Sequence, residues 1–143
     1  DAQIWLGSMY ENGEGVRQDY KQALLWYAKA AEQGSAEAQF LAGLMFENGK
    51  GVPQNFRRAL FCYTKAAEQG FSNAQFAIGV MYENGSSVPL DYVQAFMWYN
   101  LACKNGMKEA VQARDKLMKK MKPQQIQKAQ QLTKEWLEKP RNQ

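Results

Sequence analysis

The sequence predicts an all-α solenoid of antiparallel helix-pair repeats, closed by a C-terminal capping helix. Three observations predict it: a 36-residue repeat without insertions, glycines that punctuate each copy at fixed phases, and apolar residues recurring at helical spacing. Ala2-Gln3, Ala38-Gln39 and Ala74-Gln75 open three segments, 2–37, 38–73 and 74–109. The first two segments agree at 19 of 36 positions and the last two at 14, so the three copies are expected to share one local structure.

Each copy reads as two helices. Glu11-Asn12-Gly13, Glu47-Asn48-Gly49 and Glu83-Asn84-Gly85 end the first, with glycine supplying the left-handed residue beyond the last turn. Val16, Val52 and Val88 recur as lone apolar residues in the following loop and are expected to pin it. Asp19, Asn55 and Asp91 then stand where a side-chain oxygen can accept from the unpaired amides of a second helix. Gln22 and Gln94, three residues on, complete a capping-box spacing with an acidic cap. The second helix runs through Ala23, Tyr27, Ala30 and Ala31 to Gly34, and its copies end at Gly70 and Gly106.

Gly7, Gly43 and Gly79 fall inside the first helices, where glycine costs roughly 1 kcal/mol relative to alanine. Close approach of the paired helices is the expected compensation, with Tyr10, Trp26 and Tyr27 filling the space around small residues. One pair cannot bury both its faces, so neighbouring pairs must stack. Beyond residue 109, a helix from Lys108 to Met121 and a last one starting at Pro123 are predicted. Ile126, Ala129, Leu132, Trp136 and Leu137 form the apolar stripe of the latter, while Lys128, Lys134 and Lys139 supply its polar face. Residues 110–140 thus read as a helical cap on a single repeat domain spanning 1–143, with about eight helices and no strands.

The composition excludes much chemistry. Histidine is absent from all 143 residues, which removes the usual general base and the commonest metal ligand. Two cysteines, Cys62 and Cys103, are too few and too distant for a zinc site, and both read as reduced and buried. The glycines at 13 and 15 follow a helix and lack the lysine and the strand of a phosphate-binding loop. No catalytic residue, metal site or cofactor is therefore assigned, and the chain is not expected to be an enzyme. The best apolar run, Phe40 to Phe46, falls far short of the roughly 18 residues of a membrane span. The chain begins at Asp1, so further repeats or a leader before it would be out of view.

The pattern A-Q-x-x-L-G-x-M-Y-x-x-G-x-G-V-x-x-D, continued by A-x-x-W-Y-x-K-A-A-x-x-G, resembles the Sel-one-like repeat family, relatives of the tetratricopeptide repeats. The period of 36, against 34 for tetratricopeptide units, and the loops Gly13-Glu14-Gly15-Val16 and Gly49-Lys50-Gly51-Val52 favour the former. The third copy departs with Ser87 in place of the loop's second glycine, and the second with Cys62 in place of tryptophan. The resemblance implies a tetratricopeptide-like superhelix, a closing C-terminal helix, and a scaffold that binds a peptide or protein segment in its concave groove. It also favours a bacterial exported or periplasmic setting. Some members staple the helices of each repeat with a disulfide; by that scheme the partner of Cys103 would be Gln75, so the staple is absent here.

A groove of that kind would be lined by first-helix residues that packing does not claim. With Ala2, Leu6, Gly7, Met9 and Tyr10 facing inward, the opposite strip carries Trp5, Leu41 and Ala77, then Ser8, Leu44 and Val80, flanked by Glu37, Asn73, Asn48 and Asn84. These positions vary among copies whose core positions agree. Glu11, Glu47 and Glu83 recur once per repeat, a row better suited to partner binding than to acid and base chemistry. Charge offers an alternative. Residues 1–103 hold 7 basic and 10 acidic groups, a net −3, whereas residues 104–143 hold 11 and 4, a net +7. The basic C-terminal helices could therefore meet an anionic polymer or an acidic partner, with no sequence-specific nucleic-acid recognition implied.

Overall fold

A computed structural model describes residues 1–140 and places eight helices among them, with no strand. These are α1 (Ala2–Asn12), α2 (Tyr20–Glu32), α3 (Ala36–Asn48), α4 (Phe56–Glu68), α5 (Ser72–Asn84), α6 (Tyr92–Lys104), α7 (Lys108–Met118) and α8 (Pro123–Glu138). Among the described residues no helix is long and apolar enough to cross a membrane.

The predicted punctuation operates. Gly13, Gly49 and Gly85 take left-handed conformations and return their amides to Met9, Met45 and Met81. Asp19 accepts from the amides of Lys21 and Gln22, Asn55 from Arg58, and Asp91 from Gln94. The reciprocal arm of the expected capping box is pre-empted. The amides of Asp19, Asn55 and Asp91 instead donate to the carbonyls of Tyr10, Phe46 and Tyr82, which ties each second helix to the end of its first. α7 also stops earlier than expected. The amides of Lys120 and Met121 bond three residues back, tightening the final turn, and Pro123 holds Lys122 extended.

The residues form two compact units, Asp1–Ala66 and Ala67–Gln143. In the first, Ala23, Tyr27, Ala42 and Met45 form a buried cluster, with Ile4, Tyr10, Leu24 and Leu41 packed against it. In the second, Ala95, Phe96, Tyr99, Leu117, Met121 and Ala129 form the cluster, and Phe76, Val80, Ala113 and Ile126 pack on it. The apolar stripe of α8 thus contributes Ala129 and Ile126 to a core built on α6. Polar bonds fix the same assembly: Arg114 donates to Asn100, and Asn100 to Thr133. Cys62 and Cys103 are free thiols but only half-buried, where full burial was expected. Cys62 packs on the first unit's core from one side and borders an apolar cleft on the other.

Candidate partner-binding site

Each repeat carries a three-residue lock that decides which side chains remain for a partner. The glycine inside the first helix faces a tyrosine of the second so closely that an added Cβ would stand 2.5 Å from Tyr27 at Gly7, 2.6 Å from Tyr63 at Gly43 and 2.5 Å from Tyr99 at Gly79. The glutamate one turn after the glycine then accepts from that tyrosine's hydroxyl. The distances are 2.7 Å for Tyr27 to Glu11, 2.5 Å for Tyr63 to Glu47 and 2.6 Å for Tyr99 to Glu83. Burial, and after it the adjoining carboxylate, pushes all three phenols far above their ordinary range. The recurring glutamates thus serve the helix pair, correcting the expectation of a partner-facing row. Glu83 is engaged twice, its second oxygen lying 3.5 Å from Lys120.

A second recurring residue, the glutamine after the opening alanine, also proves structural. Gln39 donates to the carbonyl of Ala31 at the end of α2, and Gln75 to that of Ala67 at the end of α4. Both are buried, so each satisfies a terminal carbonyl that water cannot reach freely. Asn105 completes the arrangement in the second unit by donating to Gln75 and to the carbonyl of Gly70. The position that a disulfide staple would occupy opposite Cys103 is therefore filled by a hydrogen-bonding side chain. In the first repeat the buried Oε1 of Gln3 has no hydrogen-bond partner.

The first-helix strip divides on inspection. In the first unit, Trp5 is 65% exposed, Glu37 and Asn48 are exposed, and Leu44 is half-buried. Ser8 is half-buried and accepts from Asn12 at 3.3 Å. Leu41, also half-buried, packs against the cluster of Tyr27 and Met45. In the second unit, Asn73 and Asn84 are exposed and Ala77 is half-buried, while Val80 packs on the cluster of Phe96 and Tyr99. Leu41 and Val80 thus have a packing duty, whereas Trp5 and Leu44 in the first unit do not belong to a core cluster.

Sequence reasoning missed an apolar cleft in the first unit. It has a volume of about 310 Å³ and lies among α2, α3 and α4, with Leu25, Ala28, Phe46, Phe61 and Cys62 on its walls. Leu25 is 54% exposed and Phe61 63% exposed. A signal existed: Leu25, Phe61 and Met97 occupy one repeat phase and are apolar in all three copies. That pattern reads equally well as core, which is what Met97 is, at 6% exposure. Among the described residues no group of side chains able to hold a metal ion occurs.

The sequence profile of the Sel1 repeat matches residues 1–35, 36–71 and 72–107. The chain is 38% identical to a Sel1 repeat protein from Oxalobacter formigenes of known crystal structure, with a TM-score of 0.75 over 79% of this chain and 46% of that one. It is 33% identical to a protective antigen of uropathogenic Escherichia coli strains that displays this repeat fold, with a TM-score of 0.69 over 97% of this chain and 38% of that one. The cysteine-rich protein B of Helicobacter pylori shares the fold at 24% identity, with a TM-score of 0.65 over 76% of this chain and 89% of that one. The chain therefore spans less than half the length of the first two structures. No curated protein matches.

Proposed function

The chain belongs to the Sel1 repeat family, whose repeats are protein–protein interaction modules, and on that premise we propose that it is a non-catalytic scaffold holding a peptide or protein segment along the first-helix strip. The observation that carries this reading is the first unit's α1–α3 face. There Trp5 stands exposed and Leu44 half-exposed, with Glu37 and Asn48 open to solvent beside them, while the core residues of the same helices are shut. An aromatic and an aliphatic anchor flanked by polar groups is the arrangement in which a few contacts supply most of the affinity. In the second unit the corresponding strip residues are Asn73, Ala77, Val80 and Asn84, of which Val80 also packs on the core.

The test uses a partner captured on the immobilised full chain. Leu44→Glu and Trp5→Ala should each weaken its binding by at least about 2 kcal/mol with helicity unchanged, whereas Arg17→Glu in an exposed loop should not. A second reading rests on the exposed lysines of α7, its C-cap and α8, among them Lys116, Lys119, Lys128 and Lys134. Binding through those lysines would weaken steeply between about 50 and 200 mM salt, and charge reversal at Lys116 and Lys119 would abolish it.

A further inference from the structure

The cleft among α2, α3 and α4 has properties that the first-helix strip lacks. Leu25 and Phe61 stand more than half exposed on its rim, although an apolar residue at that phase in the third repeat, Met97, is buried. In the second unit the next position along, Trp98, is buried under a helix. α8 lies on α6, and Trp136 meets Trp98, the copy of Cys62, in an edge-to-face contact with ring centres 4.9 Å apart. An amphipathic helix with a tryptophan anchor is thus the chain's own solution for a second-helix face of this type. In the first unit Leu25 and Phe61 stay exposed.

Charge specifies the occupant further. Within the first unit the first helices, α1 and α3, carry Glu11, Glu37 and Glu47 and no cation. The second helices, α2 and α4, carry Lys21, Lys29, Arg57, Arg58 and Lys65 against Glu32 and Glu68. Two of these cations sit over aromatic rings of the cleft: Lys65 over Phe61 at 4.6 Å and Arg58 over Phe46 at 5.7 Å. The sum over residues 1–103 is acidic, yet α2 and α4, which flank the cleft, are net basic, and the cleft wall itself holds Lys65 and Glu32. At about 310 Å³ the cleft lies at the lower limit for a small-molecule pocket and suits one or two anchoring side chains.

We propose that this cleft docks an amphipathic helix of a partner protein, one that seats a tryptophan or phenylalanine between Leu25 and Phe61 and presents carboxylates to Arg58 and Lys65. The mode is helix-in-groove recognition, in which apolar anchors one or two turns apart enter the groove and charged flanks set the orientation. It is independent of the first-helix strip, since Leu25, Phe61 and Cys62 belong to α2 and α4.

The test uses the full chain and a labelled peptide with the sequence of Pro123–Glu138 carrying Lys128→Glu and Lys134→Glu, an acidic version of the helix that covers α6. Saturable binding by fluorescence anisotropy is expected, weakened at least about tenfold by Phe61→Ser or Leu25→Ser and unchanged by Leu44→Glu. Changing the peptide's tryptophan to alanine should weaken it similarly. Bound peptide should also slow maleimide labelling of Cys62, which lines the cleft, and leave labelling of Cys103 unchanged. Absence of binding overturns the proposal. So does binding that is indifferent to Phe61→Ser and does not protect Cys62, which would put the peptide elsewhere. Sedimentation supplies a further arm, because a homodimer that Phe61→Ser dissolves would assign the cleft to a second copy of this chain.

Discussion

The ring of Tyr63 lies across Gly43 so closely that a Cβ there would meet Cε1 at 2.6 Å and Cδ1 at 2.7 Å, with the carbonyl of Ala59 a further 3.3 Å contact. The glycine is therefore a packing requirement, one that repays its unfavourable helix propensity by letting a tyrosine occupy the space between paired helices.

Replacing Gly43 with alanine should destabilise the protein despite alanine's better helix propensity. Overpacking costs about 1–3 kcal/mol, against a propensity gain of roughly 1 kcal/mol. A net loss of stability in urea denaturation is expected, and leucine at the same site should cost more. The companion change Tyr63→Leu should recover part of the loss, as a double-mutant cycle would measure. Equal melting of Gly43→Ala and wild type would show that the ring can swing aside freely.

Removing the hydroxyl in Tyr63→Phe leaves the ring in place and takes away the bond to Glu47. The expected cost is about 1.5 kcal/mol, the scale of one hydrogen bond to a charged acceptor that keeps some access to water. Thermal denaturation of this variant and of the two corresponding ones, Tyr27→Phe and Tyr99→Phe, would check whether the repeats respond alike.

The same tyrosines make stability depend on alkaline pH. Burial, then the hydrogen bond to glutamate, holds Tyr27, Tyr63 and Tyr99 far above a phenol's ordinary value of 10.0 in the folded chain. Between the unfolded and folded pKa the native state binds more protons, so stability falls as pH rises. Their contribution is complete below pH 10 and declines above it. Lysines and other tyrosines titrate in the same range, so the informative quantity is a slope. Stability should fall less steeply from pH 10 to about 12 in the variant with all three changed to phenylalanine.

Gln75 is enclosed, donates to the carbonyl of Ala67 and accepts from Asn105. Gln75→Leu keeps the volume and abandons two polar groups, one of them the end of a helix. A loss of about 1–3 kcal/mol is expected by chemical denaturation, because an unsatisfied buried group loses its hydration without compensation.

Deleting residues 123–143 should strip α8 from α6 and uncover Trp98, which meets Trp136 at 4.9 Å between ring centres. Aggregation detected by light scattering is expected on warming, since a newly exposed apolar face of this kind seeks other surfaces. A truncated chain that stays monodisperse and binds no hydrophobic dye would remove the covering role of α8.

The sequence made most of the fold legible because a repeat multiplies weak signals. One Gly-Tyr pair would be ambiguous, whereas Gly7, Gly43 and Gly79 with tyrosine always twenty residues on leave little choice. The N-cap aspartates were equally plain, since their role depends on neighbours within one turn. The roles of Glu11, Glu47 and Glu83 were not, because a carboxylate's partner lies sixteen residues away and regularity alone does not tell a structural bond from a functional row. Gln39 and Gln75 stayed opaque for the same reason: their acceptors are carbonyls, which every residue has. At the candidate binding strip, spacing placed Trp5 and Leu44 on a free face but could not foresee that Leu41 and Val80 rest on the cores. The cleft beside Phe61 escaped notice because its apolar phase is identical to that of the buried Met97. Exposure alone separates the two, 63% at Phe61 against 6% at Met97.

The bond from Gln39 to the last turn of α2 has a thermodynamic corollary. A donor on one helix pair closes the end of the pair before it, so melting α3 would bare the carbonyl of Ala31 and raise the free energy of α2 as well. In the language of a one-dimensional Ising chain, part of each pair's stability is a nearest-neighbour term. Adjacent pairs joined in this way should lose their hydrogen-exchange protection in concert, as one cooperative block.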